Sequence, residues 1–201
     1  MKKVLYLMMA FAAVTFISCK PEDDNKKDDD KNKTEEARII ADFETVELEW
    51  GVSNGCTFEV VDNPSKTGIN TSAKVGKYTT AEAEWDFIWS HNLGQTETHP
   101  EIDCLDFTKD GYVIKMDVLA PVAGMKIYCK IESKLEKGPA AKEITSVVTT
   151  KANEWETLEF DYESMSPETL KYTGFVICVD AGGKTAGTVV YLDNIRQVKG
   201  E

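Results

Sequence analysis

Histidine is almost missing from this chain of 201 residues: there are two, His91 and His99, and they flank the polar stretch "NLGQTET". They fit neither a metal-binding helix motif nor a nucleophilic triad. The five cysteines include no CxxC pair, which argues against a zinc site. Long apolar runs are also missing. The one extended run, Val4 to Ile17, has 14 residues, short of the roughly 20 that a membrane-crossing helix needs. Positive charge is scarce, with 23 Lys and Arg against 35 Asp and Glu and a formal net charge of −12. Such a field repels phosphate backbones and argues against a nucleic-acid partner. The chain has no internal repeat and no room for a second domain of ordinary size. No catalytic signature stands out.

What is present begins with Met1-Lys2-Lys3 ahead of the short apolar run, the order of a secretory leader. The stretch "FISC", Phe16 to Cys19, resembles the lipobox of bacterial lipoproteins, although leucine is more usual at the place of Phe16. The resemblance implies cleavage after Ser18 and lipidation of Cys19. Each methylene buried in the bilayer then contributes about 0.8 kcal/mol, so several acyl chains make a stable anchor. The next residues, Lys20 to Glu36, hold five lysines and eight acids with no aliphatic or aromatic side chain. They have nothing to bury and read as a solvated tether. Its start, Lys20-Pro21-Glu22-Asp23-Asp24, resembles the export signal that sends some Gram-negative lipoproteins to the outer face of the outer membrane. The chain therefore divides into a signal peptide (1–18), a disordered acidic tether (19–37) and one domain (38–201). Removing the two leader lysines and the tether's net −3 from −12 leaves about −11 on the domain. Its cysteines, Cys56, Cys104, Cys129 and Cys178, allow three pairings that sequence cannot choose between. The reading adopted is no disulfide, although the compartment permits one.

The domain reads as all-β. Short segments of period-two alternation recur about every ten residues, divided by Gly, Pro, Asn and Asp: "ARIIADFE", "GCTFEVV", "SAKVGKY", "EWDFIW", "GYVIKMDVLA", "GMKIYCKIES", "EITSVVTT", "EWETLEFDY", "GFVICVDAG" and "GTVVYLDNIRQV". About ten strands in one domain predict a two-sheet antiparallel β-sandwich of the jelly-roll kind. In "MKIYCKIE" the alternation sends Met125, Ile127, Cys129 and Ile131 to the core. It sends Lys126, Tyr128, Lys130 and Glu132 to an exposed sheet face. The one helical signal is "SMSPETLKY", with Ser166 as cap and Pro167 in the first turn.

"DFET…W", "VVDNPSKTGINTSAKVGKY", "MKIYCKIE", "NEWETLEFDY" and "VVYLDNI" together resemble the galactose-binding-like jelly roll of carbohydrate-binding modules, as found in surface lipoproteins of polysaccharide-degrading bacteria. The likeness spans nearly all of 38–201. It implies a β-sandwich, a structural calcium (Ca2+) in many members, and a carbohydrate held on the concave face or at the loop edge. Calcium takes six to eight oxygens. Asp42 and Glu44 on the first strand and Asp193 and Asn194 on the last would meet if those strands pair, with Asn70 or backbone carbonyls of the "DNPSKTGIN" loop completing the shell. By resemblance Glu44 and Asp193 match the family's calcium positions best.

A sugar site needs an exposed ring for the apolar face of the sugar and fixed polar groups for its hydroxyls. Trp155 reads as a packing residue. Trp50 sits either in the core or at the sandwich edge. Trp85, Phe87 and Trp89 share one side of "EWDFIW", which is either core or the rim of a site. Tyr128 has polar neighbours that argue for exposure. The expected site is Trp89 and Tyr128 stacking on sugar, with Lys130 and Glu132 binding hydroxyls. Hydrolysis instead needs two opposed carboxylates, for which Glu132 and Asp180 are one conceivable pair. The "ExDxxE" signature of jelly-roll glucanases is broken: Glu101 and Asp103 begin it, but Asp106 stands where the second glutamate belongs. The function expected is a surface-anchored lipoprotein that binds carbohydrate without catalysis. The alternatives are a glycoside hydrolase or its accessory subunit, and an adhesin or protein-interaction module, with other envelope glycan-uptake proteins as candidate partners.

Overall fold

A computed structural model describes residues 37–46, 48–91, 93 and 104–200. The leader and residues 19–36, Cys19 among them, lie outside them, as do His99, Glu101 and Asp103; Ala37, read as the end of the tether, opens the first strand instead. Among the described residues, eleven strands form two sheets. They are β1 (Ala37–Ala41), β2 (Gly51–Ser53), β3 (Thr57–Asp62), β4 (Lys74–Thr79), β5 (Phe87–Ser90), β6 (Val113–Leu119), β7 (Lys126–Glu132), β8 (Lys142–Val148), β9 (Trp155–Asp161), β10 (Gly174–Val179) and β11 (Val189–Val198). The first sheet runs β3-β4-β11-β6-β9, with β1 also paired to β11; the second runs β2-β5-β10-β7-β8. The two layers are the expected jelly-roll sandwich, all antiparallel.

The alternation in the sequence is what stacks the layers. Ile127, Cys129 and Ile131 of β7 are fully buried, as are Phe175 and Ile177 of β10 and Ile88 of β5. They meet Ile114, Met116, Phe160 and Leu192 of the first sheet in one core. No disulfide links Cys56, Cys104, Cys129 and Cys178. Buried away from charge partners, Cys129 packs as a small hydrophobe, and burial pushes its thiol up to about 12. Trp155 is buried too, but in a satellite cluster with Val75 and Leu119, where its indole N–H donates to Ser65 O at 2.7 Å. Trp50 is half-buried and packs against Phe43 and Phe58.

The helix expected from Ser166 does not form. A single 3-10 turn, Glu163–Met165, precedes it and ends on Ser166 in the left-handed region at φ 46°. The segment beyond is held instead by tertiary hydrogen bonds: Leu170 N donates to Leu105 O, and Leu105 N donates to Tyr172 O. With Tyr172 fully buried, long-range packing outweighs one turn's worth of helix propensity.

The long strand β11 carries the fold's main irregularity. Its residues 189–192 pair with β4 and its residues 195–198 pair with β1, so the two partners follow one another along one edge. Between them the register against β6 shifts after Asp193, and Asn194 takes φ 47°. That bulge turns Asp193 into the gap between β1 and β4, where the 63–73 loop docks.

Candidate functional site: the outer face of the second sheet

The outer face of the second sheet carries most of the residues expected to bind ligand. The second sheet leaves Phe87 and Trp89 of β5 on the face opposite Ile88, and the outer positions of β7 are Tyr128, Lys130 and Glu132. Cross-strand pairing fixes their order: Val176 lies opposite Trp89 on one side and Lys130 on the other. Two strand spacings of about 4.8 Å therefore separate the Trp89 and Lys130 backbones, about 10 Å in all.

Two glycines make the floor of this face. Gly51 of β2 pairs with Trp89, and a Cβ there would come within 2.7 Å of indole Cη2. Without one, the indole lies down against the sheet and 36% of the residue stays exposed. Gly174 of β10 pairs with Glu132. A Cβ at Gly174 would stand 2.6 Å from His91 Cδ2, so its absence lets His91 reach across β10. The His91 ring stacks on Trp89 with centroids 4.6 Å apart and planes at 25°, and its Nε2 bonds Glu132 Oε1.

Glu132 is the hub of the polar half. Lys130 Nζ binds its Oε2 at 2.8 Å, and Lys134 Nζ approaches Oε1 at 3.7 Å. Burial alone would raise the Glu132 pKa, but the hydrogen bonds from Lys130 and His91 outweigh it and hold the carboxyl below the usual glutamate range. Burial dominates at His91 and lowers its pKa against the opposing pull of Glu132.

The structure redistributes the aromatic roles. Trp85, Phe87 and Trp89 do not pack in the main core: Ile88 does, and the three rings take the other side. Trp85 is 44% exposed and meets Tyr128 edge-on at 5.9 Å. Tyr128 faces outward as the alternation requires but is only 7% exposed, because Val176, Cys178, Ala181 and Phe87 close around it. Burial and the neighbouring Glu143 raise its pKa. The exposed rings are thus Trp89 and Trp85, with Tyr128 as the buried support of Trp85. Extending each alternation by two residues, from Trp89 to His91 and from Glu132 to Lys134, would have found the two polar residues that sequence reasoning missed.

The acids expected at calcium divide differently. Asp42 lies just past β1, in a turn, where its Oδ1 accepts the N–H groups of Glu44, Thr45 and Val46 at 2.7 to 3.1 Å. Glu44 and Asp193 do reach the same loop. Glu44 Oε1 accepts Ala73 N at 2.8 Å, and Asp193 Oδ2 accepts Asn70 Nδ2 at 2.6 Å. Asp193 Oδ1 accepts Asn194 N at 2.8 Å. Asn70 Oδ1 is itself held by Asn63 Nδ2 at 2.8 Å. Asp42 Oδ1, Glu44 Oε1 and both Asp193 oxygens therefore accept N–H donors, and among the described residues no group of three His, Cys, Asp or Glu gathers to hold a metal. In this arrangement Asn63, Asn70 and Asp193 form a network that seals the β11 bulge.

The carboxylate pair Glu132 and Asp180 also separates. Glu132 sits opposite Gly174, whereas Asp180 follows Val179 at the other end of β10, which sits opposite Ile127. Six residues along a strand is about 20 Å, at least twice the separation of about 5 to 9.5 Å that glycoside hydrolysis uses. A concavity of about 510 Å³ lies on the first sheet instead, beside Tyr112, Lys115, Glu159 and Asp161. It offers one half-buried tyrosine, stacked on Phe107, and no exposed indole.

Comparison of the sequence with protein-family models and with curated proteins gives no match. Among solved structures, the fold is similar to the family 11 carbohydrate-binding module of cellulosomal cellulase Lic26A-Cel5E of Clostridium thermocellum. The TM-score is 0.50 at 16% identity, over 82% of this chain and 95% of that one. It is also similar to the family 11 module from Clostridium thermocellum in complex with a β-1,3-1,4-mixed-linked tetrasaccharide. There the TM-score is 0.51 at 15% identity, over 81% and 95% of the two chains. At such identity the likeness speaks for the fold, and the ligand has to be argued from the face itself.

Proposed function

We propose that this protein is a surface lipoprotein whose sandwich domain binds a poly- or oligosaccharide without cleaving it. The observation that carries this reading is the Trp89 indole, laid flat over Gly51 and partly open to solvent beside a carboxylate fixed by Lys130, His91 and Lys134. Sugars present polarised C–H bonds on one face and hydroxyls at the rim. An open indole serves the first, and Lys130, Lys134 and Glu132 serve the second. The similarity in fold to modules that bind carbohydrate supports the same reading. The separation of Glu132 from Asp180 supports binding over hydrolysis.

Affinity gel electrophoresis of the domain with a panel of soluble polysaccharides, β-1,3-1,4-mixed-linked glucan among them, tests the proposal. Retardation by at least one glycan, with no release of reducing sugar, is the expected outcome. Unchanged migration across the panel would reject binding, and sustained sugar release would reject the non-catalytic half.

Anchoring belongs to the proposal through the sequence alone, by the "FISC" stretch and the tether. Growth of expressing cells with an alkyne-bearing fatty acid should label the protein and leave Cys19→Ser unlabelled. Equal labelling of both would place the lipid elsewhere, and label in neither would remove the anchor.

A further inference from the structure

His91 belongs to no site expected from the sequence, yet it touches both halves of the proposed one. Its ring lies on the Trp89 indole, its Nε2 meets the Glu132 carboxylate, and its Cδ2 edge rests over Gly174. An ionised carboxylate accepts, so the neutral ring carries its single proton on Nε2. Protonation adds a full positive charge to a ring already stacked on the indole.

We infer that His91 sets the sugar affinity of this face through its charge, with the neutral imidazole permitting binding and the imidazolium weakening it. The inference rests on the binding function proposed above. Sugar stacking draws on the negative π-face of the indole, which attracts the polarised C–H bonds. A cation held against that indole competes for the same electron density in a cation–π contact. The imidazolium also grips Glu132 more tightly and removes acceptor capacity from the hydroxyl side.

Among the described residues, those facing His91 are Glu132 and Lys130 of β7, Lys134 just beyond that strand, the uncharged Gly174 of β10 and Trp89 of β5, the strand that His91 follows. Glu132 stays ionised because its hydrogen bonds hold its carboxyl low. Burial holds His91 below its ordinary value of 6.5, so it is neutral at pH 7 and charges on acidification.

The test uses the full chain, wild type and His91→Gln, with β-1,3-1,4-mixed-linked glucan as probe. Indole fluorescence is followed from about pH 8 to about pH 5, the interval a histidine titrates, because imidazolium quenches a stacked indole. Quenching that fits one proton in the wild type and is lost in His91→Gln is the expected result. Glucan affinity should fall about three- to tenfold over the same interval in the wild type and stay flat in the variant. Glucan binding at the upper pH that persists unchanged at the lower one would overturn this inference alone. Wild-type fluorescence without a transition would overturn it with no ligand present, and also if His91→Gln fails to fold. Failure to bind this glucan and every other polysaccharide of the panel at the upper pH would sink the binding function and this inference with it.

Discussion

Tyr162→Ala should lower the stability of the domain by about 3–5 kcal/mol, read as a drop in the urea midpoint without a change in slope. Tyr162 follows β9 of the first sheet and is fully buried. Its hydroxyl crosses to the second sheet and donates to Cys129 O at 2.9 Å, while its N–H donates to Tyr112 O at 3.0 Å. One side chain thus fills the space between the layers and ties them. Truncation leaves a cavity the size of a ring, which strands pinned on both sides cannot collapse to fill. Tyr162→Phe separates the two contributions. It keeps the volume and loses only the hydrogen bond, at about 1 kcal/mol. A loss below about 1 kcal/mol for the alanine variant would mean that the layers do not meet at this residue.

Gly51→Leu should abolish glycan retention as thoroughly as Trp89→Ala, although it deletes no ring. A Cβ at position 51 overlaps the indole, so any larger side chain lifts Trp89 off the sheet and turns its face away. Losing a stacked indole, with its buried area, costs about 1.5–3 kcal/mol, or about tenfold to a hundredfold in affinity. The stability cost should be small, because β2 is a three-residue strand at the sheet's edge. Isothermal titration calorimetry beside a melting curve reads both. A Gly51→Leu protein that melts normally and still binds would show that Trp89 is not the platform. Tyr128→Phe, by contrast, should leave binding nearly unchanged, because the ring is covered.

The calcium and ligand expectations both rested on which atoms face which. "YLDNI" places Asp193 on the last strand, and β1 does pair with β11 as the sequence suggested. The sequence carries no mark of the register shift after Asp193 or of Asn70 donating its amide to that carboxylate. Trp85 and Tyr128 show the same boundary. Period two put Tyr128 on the outer face correctly, but exposure depends on what folds over a face, and the turn bearing Trp85 comes from elsewhere in the chain. Gly51 and Gly174 were unreadable because a missing side chain acquires meaning only from the ring that uses the space.

By itself, the sequence determined the all-β class, the two layers, the buried set of β7 and the acidic surface, because side-chain alternation and charge are local properties of a strand. Tertiary structure alone decided that Trp89 lies open, that Tyr128 is covered, that His91 reaches Glu132 across Gly174 and that Glu132 stands far from Asp180. Those are distances between strands remote in the chain, set by sheet order and register, which no single segment encodes.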